Sequence, residues 1–483
     1  MKILKKNHKD FFKDKKITVI GLGLLGRGIG DVIFLAQNGA DLLVTDLKTK
    51  EQLVDSLKKI KKELDPVLYK KIKFVLGEHQ LEDFRDKDFI LKSADIPLNS
   101  IHIAEARKNK IPIKMDASWF AELAPLGVKI IGVTGTRGKS TVTHLIYEIL
   151  KNYIELSYGR GKVCCNVYLG GNVRGLATLP LLKKINPPAG GEDIVVMELD
   201  SWQLQGFGET KISPNISVFT NLMIDHQNYY HNNRNLYFAD KANIYRWQKK
   251  GDIIVAGTEI SKKIKLDKPK GKLIVLSSKN FPTGWGTKLL GEHNLFNVAL
   301  AVEVARALGV SEKIIKKTVA NFGGVPGRLE FIREFKGIKY YNDTTATTPD
   351  GVIVALGALS GPTSPRLRRA TKPRIVLVGG GQDKKLDYKK YAGTVKKLVK
   401  ALILFKGTAT DKIIATLGPP AQAGKTKIPI FVVDNMPNAF NQAQALAQKG
   451  DTILLSPGAA SFGVFKNEFD RGDQFVKLVK KIK

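Results

Sequence analysis

"GVTGTRGKST", Gly132 to Thr141, follows the apolar run "VKII" and decides the architecture. A strand, a glycine-rich turn and a helix start, in that order, make the phosphate-binding corner of a parallel α/β sheet. The strict P-loop spacing is G-x-x-x-x-G-K-[ST]. Here five residues separate Gly132 from Gly138, one more than that spacing allows. The mechanics survive the extra residue. Gly135 and Gly138 let the N–H groups around Thr136 and Thr141 turn toward phosphate oxygens, Lys139 has the reach for β- and γ-phosphates, and the Ser140 hydroxyl can ligate Mg²⁺. ATP is the expected nucleotide; a plain β–α turn is the simpler alternative.

Outward from this loop, apolar runs alternate with longer amphipathic stretches along nearly the whole chain, the pattern of a parallel α/β fold. Strands are expected at "KITVIGLG", "DLLVTD", "KIIGVTG", "DIVVMEL", "ISVFTNL", "DIIVAG", "KLIVLSS", "RIVLVGGG", "ALILFKG", "IPIFVVD" and "DTILLSPG". Several are apolar at consecutive positions, as strands covered on both faces should be. Three glycine-rich starts divide the chain into three expected domains. These are a Rossmann-like block over 1–116, a central P-loop-type ATP-binding block over 117–325 and a second Rossmann-like block over 326–483. A hinge is expected at "NFGGVPGR".

Composition narrows the class. Across 483 residues, 43% are hydrophobic and 25% charged, ordinary for a globular protein of about three domains. No apolar run approaches the ~18–20 residues of a membrane span, so no membrane partner is expected. Two adjacent cysteines, Cys164 and Cys165, fit a reducing cytoplasm. The net charge of +33 raises nucleic acid as a partner. The lysines are spread and interleaved with apolar and acidic residues, however, so a solvated basic surface is the better reading, the segments "SPRLRRATKPR" and "KLVKKIK" included.

Further chemistry collects at strand ends. Glu198 closes "DIVVMEL", where it can hold Mg²⁺ against a triphosphate or cap the next helix. Asp225 and His226 follow "ISVFTNL"; alone, His226 reads as structural, and beside Lys139 and Glu198 it reads as part of a site. "GLGLLGRG" gives Gly21-x-Gly23-x-x-Gly26, and Asp46 ends the next strand twenty residues beyond Gly26. That is a dinucleotide fingerprint, and it certifies only that a diphosphate can sit on a helix start. With ATP already placed, it suggests a substrate that itself carries a nucleoside diphosphate.

With these loops in place the chain resembles the Mur ligases, ATP-dependent enzymes of peptidoglycan synthesis that form amide bonds. The resemblance runs through "GVTGTRGKST", "GGN" (Gly170 to Asn172), "ELDSWQL", "NLMIDHQNYY", "ADKANIY" and "GEHNLFNVALA". It continues with "GVPGRLE", "YYNDTTATTPD", "GGGQDKK" and "SPGAASFGVFKNEFDRGDQF", the last being the most specific. It implies a monomer that adds D-glutamate to UDP-N-acetylmuramoyl-L-alanine through an acyl phosphate.

The resemblance also implies roles. Lys139 would bind ATP phosphates, with Ser140 and Glu198 at one Mg²⁺, and His226 and a carbamylated Lys241 at a second. Asn294 and Asn297 would flank adenine, with Arg328 and Asp343 closing on the nucleotide. Gly21, Gly23, Leu24, Leu25, Asp46, Asn172, Ser201 and His226 would face the UDP-sugar. Thr347, Lys384, Ser461 and Phe469 would read D-glutamate; Lys384 reads equally as a surface lysine beside Lys385. The chain departs from the family pattern at Asp200 (usually Ser), Thr345 (commonly Lys) and Gly463 (commonly Asp). It also departs in "SADIP", which lacks a Ser-Pro-Gly turn, and in an inserted Glu468. A sibling ligase for another amino acid, a folylpolyglutamate-type ligase, a nicotinamide dehydrogenase and a nucleic-acid-dependent ATPase are the rival readings.

Overall fold

The computed structural model describes residues 8–24, 26–157, 166–187, 191–226, 228–360, 374–418 and 428–482. Leu25, the Cys164–Cys165 pair and all of "SPRLRRATKPR" except Arg374 lie outside the described residues. The chain is α/β, and its described residues form three sheets. The first has the order β3-β2-β1-β4-β5, from β1 (Lys16–Ile20), β2 (Asp41–Asp46), β3 (Lys73–Leu76), β4 (Phe89–Lys92) and β5 (Ile113–Lys114). The second has the order β11-β10-β9-β6-β8-β7, from β6 (Val128–Thr134), β7 (Val167–Gly171), β8 (Asp193–Glu198), β9 (Ile216–Phe219), β10 (Ile253–Gly257) and β11 (Lys272–Leu276). Both are parallel throughout.

The third sheet runs β12-β13-β17-β14-β15-β16, from β12 (Glu330–Phe335), β13 (Ile338–Asn342), β14 (Ile375–Gly380), β15 (Val399–Phe405), β16 (Ile430–Val433) and β17 (Thr452–Leu455). It is parallel except for the β12–β13 pair. That pair is a two-residue hairpin whose turn, Lys336-Gly337, has φ of 50° and 75°, the left-handed geometry that matches strand twist. The first two sheets lie in one compact unit, Met1–Trp285 with Phe296–Val319. The third lies in another, Gly286–Leu295 with Ala320–Lys483.

All eleven runs expected to be strands are strands. The six others (β3, β4, β5, β7, β12 and β13) are short or half-exposed, and their apolar signal is correspondingly weak. In the first two sheets the strand order places a switch point where binding sites form, at the carboxyl ends of β1 and β4 and of β6 and its neighbours.

Within the first unit, the helix Arg27–Gln37 packs so closely on the segment after β7 that a side chain at Gly30 would lie 2.7 Å from Ala177 Cβ. Arg107 pairs with Glu209 at 2.9 Å across the same two sheets. Trp119, fully buried on the helix Asp116–Leu123, packs its ring 5.1 Å from Phe12 and 5.0 Å from Phe89. It thereby fastens this helix to the first sheet. Trp119→Ala should destabilise the chain by about 3–5 kcal/mol, the usual cost of emptying so large a buried volume. Chemical unfolding followed by circular dichroism checks this, and an unchanged midpoint would refute it.

Candidate active site

The loop after β6 is held from β9. The Thr220 hydroxyl donates to the Arg137 carbonyl (2.6 Å), the Arg137 N–H donates to Asn221 Oδ1 (3.0 Å), and the Thr136 N–H to the Asn221 carbonyl (3.0 Å). Gly135 has φ of 140°, and a Cβ there would lie 1.9 Å from Thr220 Oγ1. Gly138, at φ 83°, leaves 2.3 Å between such an atom and Asn297 Oδ1. Both glycines are therefore dictated by space as well as backbone angle. The helix Lys139–Ser157 starts directly from this turn, with Ser140 and Thr141 buried in its first turn. Its free N–H groups and positive end make an anion site.

Lys139 and Lys241 both donate to the Gly135 carbonyl, at 3.1 and 2.9 Å. Lys139 also bonds the Thr136 carbonyl, and Lys241 lies 3.4 Å from Thr134 Oγ1 and 4.8 Å from the Tyr237 ring centre. Two ammonium groups on one oxygen repel. Lys241 is buried, and burial first, then the Lys139 charge, hold its pKa well below the usual lysine value against the pull of Asp200, Asp225 and Asp240.

The Ser140 hydroxyl donates to the Glu198 carboxylate at the end of β8. Asn172 approaches the same residue through its N–H to the Glu198 carbonyl (2.7 Å) and its amide to Oε1 (3.5 Å). Asp200 caps the helix Ser201–Thr210: its Oδ1 accepts from the Gln203 N–H at 2.8 Å, and Gln203 returns the bond. That accounts locally for an acid where the family pattern has Ser, since either residue type caps a helix. Ser201 is buried in the first turn that follows.

His226 has φ of 52°, and its ring lies 4.7 Å from the Trp202 ring centre, tilted 58° to it. Its pKa is lowered by burial, with Asp225 opposing. Arg137 pairs with Asp225 at 3.5 Å. Among the described residues no three His, Cys, Asp or Glu side chains cluster as a metal site. The adjacent Ser140 and Glu198 oxygens nonetheless suit Mg²⁺, which takes one or two protein oxygens and completes its shell with phosphate and water.

In the first sheet, Asp46 Oδ2 accepts from the Gly23 N–H and Oδ1 from the Lys48 N–H, both at 2.9 Å, so this carboxylate ties down the glycine loop. Gly21 and Gly23 are left-handed, at φ 89° and 68°, and Leu24 is exposed beside them.

The second unit gathers its own set. Burial pushes the Asp343 carboxyl up to about 7, although the Ser456 hydroxyl (2.8 Å), the Leu329 N–H (3.0 Å) and the Arg328 charge all favour its ionised form. Asn294 donates to the Leu290 carbonyl at 2.8 Å. Thr345 bonds the Gly327 carbonyl through its hydroxyl (2.9 Å) and its N–H (3.1 Å), closing the "VPGR" turn. Lys384 donates to Thr347 Oγ1 at 2.9 Å, which joins two of the residues expected to read an amino acid. Ser461 is buried after β17. Phe469 lies in the first turn of the helix Glu468–Lys481, capped by Asn467. The inserted Glu468 opens that helix, and its carbonyl accepts from Thr344 Oγ1 (2.6 Å). Gly463 takes φ 97° beside Gln382.

Arg471 went unremarked in the sequence. Fully buried, it donates to Thr344 Oγ1 (3.2 Å), the Thr344 carbonyl (2.9 Å) and the Ala459 carbonyl (3.4 Å), joining the segments after β13 and β17. Its position inside "FDRGDQF" was visible; its burial was not.

Three family models match in order: the Mur ligase MurD-like N-terminal domain over 15–114, the Mur ligase middle domain over 133–286 and the Mur ligase glutamate ligase domain over 327–458. A UDP-N-acetylmuramoylalanine--D-glutamate ligase of Roseiflexus sp. is 33% identical over 96% of this chain and 98% of its own. The same-named protein of Borreliella afzelii is 34% identical over 97% and 98%.

The chain belongs to the Mur ligase family.

A Mur ligase fold is likewise what solved structures show. The UDP-N-acetylmuramate-alanine ligase of Thermotoga maritima aligns with a TM-score of 0.60 at 19% identity, over 97% of this chain and all of that one. The MurF ligase of Thermotoga maritima, solved with ADP, aligns at 0.54 and 16%, over 99% and 96%. The Mur ligase family is ATP-dependent, in keeping with the β6 loop, and no described helix is long and apolar enough to cross a membrane.

The raised Asp343 pKa has a sign. The folded chain holds this proton up to about pH 7, whereas the unfolded chain releases it near the ordinary value of 3.8. Asp343 therefore lowers stability progressively as pH rises between those values, with no further change above. In Asp343→Asn this part of the decline should disappear, measured as unfolding midpoints from pH 4 to 8. An identical slope in both proteins would contradict it.

Proposed function

We propose that this chain is an ATP-dependent ligase joining D-glutamate to UDP-N-acetylmuramoyl-L-alanine in peptidoglycan precursor synthesis. One observation carries the reading. Relatives named for that activity align over 96–97% of the chain, so every block has a counterpart in them. The domain limits 1–116, 117–325 and 326–483 are part of this proposal.

In the first unit, Gly135, Thr136, Gly138, Lys139, Ser140, Thr141 and Asn297 bind the ATP phosphates and adenine. Gly21, Gly23, Leu24, Asp46, Asn172, Ser201 and His226 bind the UDP-sugar. In the second, Asn294, Arg328 and Asp343 serve ATP, and Thr347, Lys384, Ser461 and Phe469 serve D-glutamate. Leu25, also expected at the UDP-sugar, is outside the described residues.

The substrate carboxylate attacks the γ-phosphorus, and ADP leaves. The D-glutamate amine then attacks the acyl carbon and displaces phosphate. Little of this requires covalent participation by the protein, so positioning and charge compensation do the work. Lys139, released from its own loop carbonyls, follows the charge on the γ-phosphoryl oxygens. Ser140 and Glu198, with His226 and Lys241, would hold Mg²⁺, which when bound would offset the charge of the phosphates. A hard cation needs oxygen from Lys241. Burial holds the pKa of its amine well below the usual lysine value, and in its neutral form that amine can add CO₂ to form a carbamate and release one proton.

Two experiments test this. Phosphate release from ATP with UDP-N-acetylmuramoyl-L-alanine should require D-glutamate in a panel of amino acids. Lys384→Met should raise the D-glutamate KM by about tenfold or more, the worth of one charge-assisted hydrogen bond. Turnover with a different amino acid alone would replace the substrate assignment. Separately, ¹³C-bicarbonate should give a carbamate resonance in the wild type and none in Lys241→Arg. The same spectrum from both would remove Lys241 from the metal site.

A further inference from the structure

Lys92 is the last residue of β4 and only 2% exposed, an unusual place for an ammonium group. It stands beside Ile20, immediately before Gly21, at the switch point of the first sheet. Its Nζ donates to the Ser93 carbonyl (3.1 Å) and the Ile96 carbonyl (2.9 Å), closing the 93–96 segment around itself. That segment lies on the first glycine loop: a Cβ at Gly21 would be 2.7 Å from Ser93 Oγ and 3.6 Å from Ile96 Cγ1. The Ser93 N–H meanwhile bonds the Ile20 carbonyl at 3.0 Å. The ammonium therefore sets the position of the wall beside Gly21 in a segment without the family's Ser-Pro-Gly turn.

A buried cation needs compensation. Four acids bear on Lys92: Asp95 in its own segment, Asp200 and Glu209 on the helix Ser201–Thr210 and its cap, and Asp240 on the helix Arg234–Ala242. Asp95 is bonded by the Ser93 hydroxyl, and Glu209 is paired with Arg107 at 2.9 Å. Asp240 accepts from Gln205 and Tyr230 at 2.8 and 2.9 Å, and burial raises its pKa. Asp200 caps its helix through Gln203 and contributes the largest of the four attractions. Burial brings Lys92 down to about 8, with Asp200 foremost in opposing that fall.

We propose that Lys92 is a positioning residue for the nucleoside-diphosphate substrate, clamping the 93–96 segment against the first glycine loop. This rests on the reading of the glycine loop as the UDP-sugar site.

The test uses the full-length chain. Lys92→Met should raise the KM for UDP-N-acetylmuramoyl-L-alanine about tenfold and weaken UDP binding in calorimetry to match, as expected for a lost charged hydrogen-bond donor, while the KM for ATP stays put. Lys92→Arg should recover most of that loss. Unchanged UDP affinity in Lys92→Met, or equal losses in the Met and Arg variants, would each overturn the proposal. UDP binding that depends on Lys92 without D-glutamate turnover would keep Lys92 and reject the amino acid. Normal turnover with Lys92→Met unimpaired would do the reverse. A wild-type chain that binds no UDP would reject both.

Discussion

The loop after β6 has almost no freedom, and the rest of the catalytic unit is arranged around that. Thr220 Oγ1 occupies the space a side chain at Gly135 would need, and it bonds the Arg137 carbonyl while doing so. One hydroxyl just beyond β9 thus enforces the glycine and fixes the turn that follows. Because β8, β6 and β9 are adjacent and parallel, Glu198 stands level with Val133 on one side of β6, and Thr220 and Asn221 continue past Phe219, level with Thr134, on the other. A shift of one residue in either register would turn Glu198 or Thr220 to the opposite face of the sheet.

Charge follows from that rigidity. Lys139 and Lys241 converge on the carbonyl of Gly135, an oxygen that cannot move away because the loop is pinned. Repulsion and burial act in one direction on Lys241, the buried member of the pair, and hold its pKa well below the usual lysine value. Lys241 is enclosed by Tyr237 and the loop, whereas Lys139 is the more accessible of the two. Two lysines on one carbonyl are given different surroundings by their depth.

Much of this was legible in the residues. The long apolar strands and the glycine-rich turn after β6 announce themselves, because consecutive apolar residues and glycine spacing leave local patterns; His226 alone reads as structural. The β12–β13 hairpin did not, since its alternating, half-exposed residues carry little apolar signal. Nor did Lys92 or Arg471. In a chain with 78 lysines and arginines, nothing local distinguishes the two that lie 2% and 0% exposed from the dozens on the surface. Thr347 and Lys384 lie 37 positions apart and meet only once β13 and β14 share a sheet. Depth and long-range pairing are tertiary properties, and composition averages them away.

The net charge of +33 then resolves into two populations. Most basic residues are interleaved with acids on the surface, where solvent and salt screen them. A few also bond backbone carbonyls: Lys139 those of Gly135 and Thr136, Lys92 those of Ser93 and Ile96, and Arg471 those of Thr344 and Ala459. Lys92 and Arg471 do so from the interior, where a charge acts over a longer range than on the surface. A triphosphate, a nucleoside diphosphate and an acidic amino acid are all anions, and a reaction that gathers them must offset their mutual repulsion before any bond is made. In the proposed reaction Lys139, on the loop after β6, is placed to do part of this, rather than the far larger number of lysines spread over the surface.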